Sequence, residues 1–166
     1  MKHTISAMVE NKPGVLARMS GLFARRGFNI DSLAVSTTED PRISRTTITV
    51  NGDEYTLEQI CNQLAKLIDV IQVIDHTTHS YVERELCLCK VASTRENRND
   101  VLQLCQIFRA DIISVAPTNL IIQVTGDEGK IDAFVRAIGD FEILEMVRTG
   151  KILLDRDTSG AQGEKA

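Results

Sequence analysis

The sequence predicts an α+β protein built from two tandem ferredoxin-like βαββαβ units. Three observations support this fold class. Short β-branched segments with alternating apolar residues are separated by longer segments whose apolar residues recur at helical spacing. The order strand, helix, strand, strand, helix, strand occurs twice, and 166 residues are enough for two small domains. Each unit is therefore predicted to form a four-stranded antiparallel sheet with both helices on one face.

The first unit is predicted over residues 1–78. Its first helix follows the turn Asn11-Lys12-Pro13-Gly14, because Pro is tolerated in the first turn of a helix, and it ends at Gly27. The second helix is predicted to begin with a capping box formed by Thr56 and Gln59. The predicted strands are residues 3–10, 29–37, 43–50 and 70–75.

The second unit is predicted over residues 79–156, after a junction near residues 76–81. Its strands are predicted at residues 82–93, 111–116, 119–125 and 142–149, with one helix before and one after the central pair. The last ten residues, 157–166, are polar and contain glycine, and we expect a disordered tail there. The open face of each sheet must be covered or remain polar. Because the sheet is predicted to be aliphatic and poor in aromatic residues, we expect coverage by a second copy, hence a dimer.

Composition excludes several classes of protein. The net charge is −4 and the sequence pI is about 5.4, so the chain lacks the basic surface that nucleic-acid binding requires. No apolar run approaches the length of a membrane span, and the amino terminus leads directly into a strand without a signal-peptide pattern. We therefore expect a protein of the cytoplasm, or of the matching compartment of an organelle, with no nucleic-acid or membrane partner.

The sequence offers no catalytic or metal-binding motif. It has no Ser–His–Asp candidate set, no HExxH, no phosphate-binding loop and no GxGxxG. The three histidines are scattered, and the four cysteines lack a metal-ligand spacing. We predict that these cysteines are structural core thiols, since free cysteine is among the most buried residue types: Cys61, Cys87, Cys89 and Cys105.

Two segments of the first unit are candidates for ligand binding. At the predicted helix start after Asn11, unpaired backbone N–H groups suit a carboxylate, and Gly14 lets a ligand approach the backbone. The alternative is that Asn11 only caps the helix and Gly14 only forms the turn. Asn29 opens the second strand, and its alternative role is that of a turn residue.

These segments carry a resemblance to a known family. Residues 11–18 (NKPGVLAR), 21–23 (GLF) and 25–33 (RRGFNIDSL) resemble the ACT domain of acetolactate synthase regulatory small subunits. The resemblance continues through residues 44–45 and 63–70, and in the second half through 82–86, 108–110, 129–134 and 148–150. It covers nearly the whole chain apart from the tail. The local departures from the family pattern are Cys87, Cys89 and Ser114.

The resemblance implies a non-catalytic regulatory subunit whose first unit is an ACT domain. The implied partner is a catalytic large subunit that carries thiamine diphosphate, Mg²⁺ and FAD and joins two 2-keto acids. This chain, which needs no cofactor of its own, would activate that subunit and confer feedback inhibition by a branched-chain amino acid, typically valine. Side-by-side pairing of two ACT domains into an eight-stranded sheet is also implied.

The resemblance further implies a site shared between two chains. Asn11 and Gly14 would hold the amino acid from one chain, with loop N–H groups from Val15 and Leu16. Asn29 and the backbone of Ile30 would contribute from the other chain.

Three other functions compete with this one. A stand-alone ACT-type amino-acid sensor would have the same first unit, but no DNA-binding helix-turn-helix or basic patch is attached. An RNA-binding module with the same element order needs exposed aromatics on the sheet, and the predicted first strand has neither Phe nor Tyr. A ligand-binding enzyme of amino-acid metabolism would require a catalytic set that the sequence does not offer.

Overall fold

The computed structural model describes residues 1–156, and the predicted disordered tail, 157–166, lies outside the described residues. The chain divides into two compact units. Within the described residues, the first contains Met1–Val82 together with residues 153–156, and the second contains Glu83–Ile152. The sequence-based boundaries assigned residues 153–156 to the second unit, because contacts between residues so far apart in the chain leave no local signal.

The first unit has the predicted βαββαβ order. Its sheet has the strand order β2-β3-β1-β4, and β1 pairs antiparallel with both β3 and β4. Strand β2 is an edge strand, since it pairs only with β3 in the described sheet. The elements are β1 (Lys2–Glu10), α1 (Val15–Arg26), β2 (Ser32–Thr37), β3 (Ile43–Asn51), α2 (Glu54–Ala65) and β4 (Val70–Asp75).

The core of the first unit lies between one face of this sheet and its two helices. Alternate residues of β1 point into it, and they pack with the apolar faces of α1 and α2. Burial of this apolar set is the main stabilising term. Its fully or nearly fully buried members include Ile5, Ala7, Val9, Met19, Phe23, Ile48, Ile60 and Leu64.

The other face of the β1–β3 pair is polar rather than aliphatic. Thr4 and Ser6 of β1 lie opposite Thr49 and Thr47 of β3, and all four are buried within one chain. These two strands therefore follow the second of the two alternatives, a polar face, rather than an aliphatic face that awaits a partner. The same β-branched threonines that indicate a strand also make one face of it hydroxyl-rich.

One of two predicted helix ends is confirmed, and the other is corrected. Gly27 ends α1 in the left-handed conformation, with φ of 69°, as predicted. The predicted Thr56–Gln59 capping box is wrong, because Asp53 is the N-cap of α2 and its carboxylate accepts from the Thr56 N–H at 2.8 Å. Both Asp and Thr are favoured cap residues, and here the chain uses the earlier one.

The second unit repeats the order, with sheet order β6-β7-β5-β8. Three predicted core thiols, Cys87, Cys89 and Cys105, are buried there, which confirms that prediction, whereas Cys61 of the first unit is half-buried. Burial raises the pKa of the Cys89 thiol to about 11. The elements are β5 (Tyr81–Ala92), α3 (Arg98–Phe108), β6 (Asp111–Val115), β7 (Asn119–Gly126), α4 (Glu128–Ile138) and β8 (Ile143–Arg148).

One strand was not predicted from the sequence. After Gly150, whose φ is 76°, the chain forms β9 (Ile152–Asp155), which pairs with β5. The Arg156 N–H donates to the Ser80 carbonyl at 2.9 Å. Four residues are too few for a clear alternation pattern. This strand brings Asp155 into the first unit.

Candidate functional site

The loop between β1 and α1 has the geometry that the sequence predicted for a ligand-binding turn. Gly14 is the N-cap of α1 with φ of 84°, and no side chain caps the helix. The first backbone N–H groups of a helix have no acceptor within it. They also lie at the positive end of the helix dipole, so this helix start suits an anionic group.

Asn11 does not cap the helix, so the simpler reading of that residue is wrong. Its Nδ2 donates to the Pro41 carbonyl at 2.9 Å, and its backbone N–H donates to the Arg42 carbonyl at 2.7 Å. These two bonds hold Asn11 beside the two residues that precede β3. No partner for the Asn11 Oδ1 atom is found within residues 1–156, and this acceptor suits a ligand ammonium.

Arg18 fixes the position of α1. Its Nε lies 2.6 Å from Oδ2 of Asp69, in the loop before β4. The hydrogen bond from Arg18 lowers the pKa of the Asp69 carboxyl. The Arg18 guanidinium also lies beside Gly14, where a Cβ atom would come within 3.1 Å of Arg18 Nη1. The helix start is thus held by an ion pair while its first turn faces solvent.

A small cleft opens beside this turn. It has a volume of about 80 Å³. Drug-sized ligand pockets are roughly 300–1,000 Å³, so one chain supplies only part of such a site. Among its residues, Val35 lies on the edge strand β2 and is 44% exposed, which leaves the cleft open at the edge of the sheet. The lining residues are Val9, Glu10, Asn11, Lys12, Val15, Leu16, Met19, Val35, Ser44 and Thr46.

The structure separates the six predicted site residues into two groups. Asn11, Val15 and Leu16 line the cleft, and Gly14 adjoins them in the same turn. Asn29 and Ile30 follow the opposite end of α1, and neither lines the cleft. The 12 residues of α1 correspond to a length of about 18 Å at 1.5 Å per residue. Within one chain, therefore, the two groups do not meet.

Asn29 is exposed and locally supported. Its Nδ2 donates to Asp31 Oδ1 at 3.0 Å, and the other carboxylate oxygen of Asp31 accepts from Asn51 Nδ2. Ile30 is partly buried and packs against the core of the first unit. The bond to Asp31 holds the Asn29 side chain in the segment between α1 and β2.

Part of the cleft was not predicted from the sequence. Val35, Ser44 and Thr46 come from β2 and β3, and strand pairing brings them beside the loop. Val35 lies opposite Thr46 in that pairing. Alternation along each strand could have assigned them to a face, but not to this site.

A polar cluster outside the cleft was also not predicted from the sequence. His76 Nδ1 lies 2.7 Å from Asp155 Oδ1, and His76 Nε2 lies 2.9 Å from Ser6 Oγ. Arg45 Nη2 donates to the same Ser6 oxygen at 3.3 Å. Burial lowers the pKa of His76, against the opposing effect of Asp155. This is a Ser–His–Asp chain that the sequence predicted to be absent, but Ser6 is fully buried, so a substrate carbonyl has no access to it.

Comparison with known proteins agrees with the geometry. The model of an "AHAS small subunit-like ACT domain" matches residues 5–72, and that of the "Small subunit of acetolactate synthase" matches residues 84–157. In the solved acetolactate synthase small subunit of Thermotoga maritima, 40% of residues are identical. The TM-score is 0.86, over 95% of this chain and 99% of that one. The chain is therefore an ACT-domain protein with a second ferredoxin-like unit.

Curated relatives extend over the same length. A "Probable acetolactate synthase small subunit" of Archaeoglobus fulgidus is 53% identical over 94% of this chain and 98% of its own. The acetolactate synthase small subunit of Mycobacterium bovis is 45% identical over 95% of this chain and 94% of its own. The chain belongs to the acetolactate synthase small-subunit family. It is a regulatory, non-catalytic subunit. The resemblance of the sequence to this family is therefore confirmed.

As a small subunit, the chain associates with the acetolactate synthase large subunit. None of the helices within residues 1–156 is long and apolar enough to cross a membrane.

Proposed function

We propose that the first unit binds a branched-chain amino acid, with valine as the first candidate, at a site completed by a second copy of the chain. Binding there imposes feedback inhibition on the catalytic large subunit, which this subunit otherwise activates. Thiamine diphosphate, Mg²⁺ and FAD then belong to the large subunit. The observation that carries the proposal is the incomplete cleft beside the α1 N-terminus, which opens at the exposed edge of the sheet.

The cleft chemistry matches an aliphatic amino acid. The Val15 N–H donates to the Lys12 carbonyl at 3.4 Å, and the N–H groups that follow it in the first turn of α1, beginning with that of Leu16, suit the ligand carboxylate. The Asn11 side-chain oxygen suits its ammonium. Apolar side chains complete the lining and suit a branched hydrocarbon: Val9, Val15, Leu16, Met19 and Val35.

The positions of Asn11 and Asn29 support a two-chain site. One helix length, about 18 Å, separates their neighbourhoods within a chain, so a single ligand cannot contact both. A second copy paired along the edge strand β2 would extend the sheet to eight strands and satisfy the unpaired backbone groups of that edge. It would also bring Asn29 and Ile30 of one chain to the loop 11–16 of the other.

The test is reconstitution with the cognate large subunit. We expect the chain to raise acetolactate synthase turnover and to make it sensitive to valine, with leucine and isoleucine tested in parallel. Sedimentation of the small subunit alone should give a dimer at micromolar concentration. Kinetics that do not change on addition of the subunit, with and without each amino acid, would reject the proposal, and a compact monomer would reject the two-chain site.

A further inference from the structure

Three potential metal ligands converge in the first unit outside the proposed effector cleft. His76 and His79 follow β4, and Asp155 ends β9. One ligand atom from each of the three lies within 4.8 Å of the others. Oδ1 of Asp155 lies 2.7 Å from His76 Nδ1, and its Oδ2 lies 3.9 Å from His79 Nδ1. The carboxylate thus lies between two imidazoles.

These separations are close to those of a tetrahedral metal site. Zinc–nitrogen and zinc–oxygen bonds of about 2.0–2.2 Å place neighbouring ligands roughly 3.3 Å apart. The 2.7 and 3.9 Å separations lie on either side of that value. The two contacts use different oxygens of Asp155, and all three ligand atoms lie within 4.8 Å of one another. His79, which is 43% exposed, has room to move toward a metal.

An outer-shell contact already orients the buried ligand. His76 is fully buried, and its Nε2 is 2.9 Å from Ser6 Oγ. A metal-binding histidine typically donates its second ring N–H to a nearby oxygen, which fixes the ring and its tautomer. In the metal-bound form, Nδ1 gives up the proton that it donates to Asp155 Oδ1 in the metal-free protein, and the Nε2–H then donates to Ser6 Oγ. Ser6 is held in turn by Arg45.

We propose that His76, His79 and Asp155 form a binding site for a divalent transition metal of the zinc class, with water as the fourth ligand. Two imidazoles and one carboxylate favour such a metal over Mg²⁺ or Ca²⁺, which prefer all-oxygen sites. Exposure rises from His76 through Asp155 to His79, so the site has a closed inner side and an open outer side for water and for metal entry.

His79 distinguishes this proposal from a simple hydrogen-bond chain. The chain Arg45–Ser6–His76–Asp155 is complete without a metal and does not involve His79. In a metal site, by contrast, His79 supplies one of three protein ligands. Such a metal would tie the β4–β5 connection to residues 153–155, which are far apart in sequence, and would stabilise the first unit by binding only its folded form.

The experiment uses the full chain and Zn²⁺ alone. Zinc affinity is measured by competition with a chromophoric chelator, and Co²⁺ substitution gives a visible spectrum that reports coordination. His79→Ala and Asp155→Asn should each weaken zinc binding by more than the roughly 10- to 100-fold typical for loss of an outer-shell partner. Ser6→Ala should weaken it within that range. With free Zn²⁺ at about 100 times Kd, the wild-type melting temperature should rise by roughly 5–10 °C.

His3→Gln is the matched control. His3 is the remaining histidine, and its ring nitrogens contact Thr77 Oγ1 and the Gly52 carbonyl, so its replacement should leave zinc affinity unchanged. Circular dichroism without zinc checks folding, and exposed His79 offers the least disruptive variant. Zinc binding that is absent, or unchanged in His79→Ala, would overturn the proposal. An ultraviolet thiolate-to-cobalt band would also overturn it, because it would assign the metal to the cysteines.

Discussion

Arg18 and Asp69 join the first helix of the ACT unit to the loop before β4 through a 2.6 Å contact between Nε and Oδ2. Arg18 lies one turn after Gly14, so the same contact holds the helix start against the sheet. The backbone carbonyl of Asp69 also accepts from the Glu10 N–H at 2.9 Å. Arg18 and Asp69, neither of which lines the cleft, thereby position the predicted effector loop.

This ion pair predicts acid sensitivity. Arg18 lowers the folded-state pKa of Asp69, so the pair contributes stability above the ordinary aspartate pKa, and that contribution is lost as pH falls through the lowered folded value. Asp69→Asn should therefore destabilise the protein near neutral pH and reduce the loss of stability below about pH 4. Denaturation at several pH values measures this, with exposed Glu39→Gln as the control. Parallel pH profiles for wild type and Asp69→Asn would contradict it.

Gly14→Ala should disturb the effector turn. The φ of 84° is a left-handed conformation that costs an L-residue roughly 1–2 kcal/mol, and the new Cβ would press on Arg18. We expect a lower melting temperature and weaker valine inhibition of the reconstituted enzyme.

Gly21→Ala provides the matched comparison for that variant. Gly21 lies inside α1, where a Cβ would meet only the end of the Arg25 side chain at 3.5 Å. Alanine there should stabilise the helix by about 0.5–1 kcal/mol and leave inhibition unchanged. If both glycine variants had equal effects on inhibition, the turn geometry would not be the cause.

Asn29→Ala should loosen feedback inhibition while activation persists. A hydrogen bond to a charged ligand group is worth about 1.5–3 kcal/mol, so the half-inhibitory valine concentration should rise roughly 10- to 100-fold. Valine titration of the reconstituted enzyme is the measurement.

The control for Asn29 is its neighbour in the hydrogen-bond network. Asn51 also donates to Asp31, so Asn51→Ala removes support from Asp31 without removing a proposed ligand contact. Inhibition that weakens equally in both variants would show that Asn29 acts only through Asp31. Simultaneous loss of activation and inhibition in Asn29→Ala would make that residue structural.

Arg148 should stabilise the second unit. It makes two 2.8 Å contacts with buried Glu85 and a third with Asp132. Arg148→Ala leaves the Glu85 carboxylate buried without its partner, at a cost of about 2–3 kcal/mol, below the usual range for a fully buried pair because Arg148 is 33% exposed. Urea denaturation measures the loss.

Two further variants measure how much each carboxylate that contacts Arg148 contributes to stability. Asp132→Asn should cost less than about 1 kcal/mol, because that carboxylate is 41% exposed. The double variant Arg148→Ala, Glu85→Gln should recover part of the loss, since no full charge then stays buried. If the double variant lost the sum of the stabilities that the two single variants lose, the proposed coupling between Arg148 and Glu85 would be contradicted.

Local chemistry made the order of elements predictable. The βαββαβ order follows from alternation and helical spacing, and the end of α1 follows from Gly27, whose left-handed conformation depends only on its own backbone. The loop at Asn11 and Gly14 was also identifiable, because a helix start offers the same N–H groups in any fold. Local signals were ambiguous where two good caps, Asp53 and Thr56, lay within one turn.

The sequence by itself determined the two-unit α+β fold, the family and the residues on each side of a proposed two-chain site. Tertiary structure alone decided what completes the cleft, since Val35 reaches it through pairing of β2 with β3. It also decided that Asp155 joins His76, because β9 returns the chain to the first unit. Such contacts depend on how segments that are distant in the chain pack together, and the local sequence around each residue does not predict this packing.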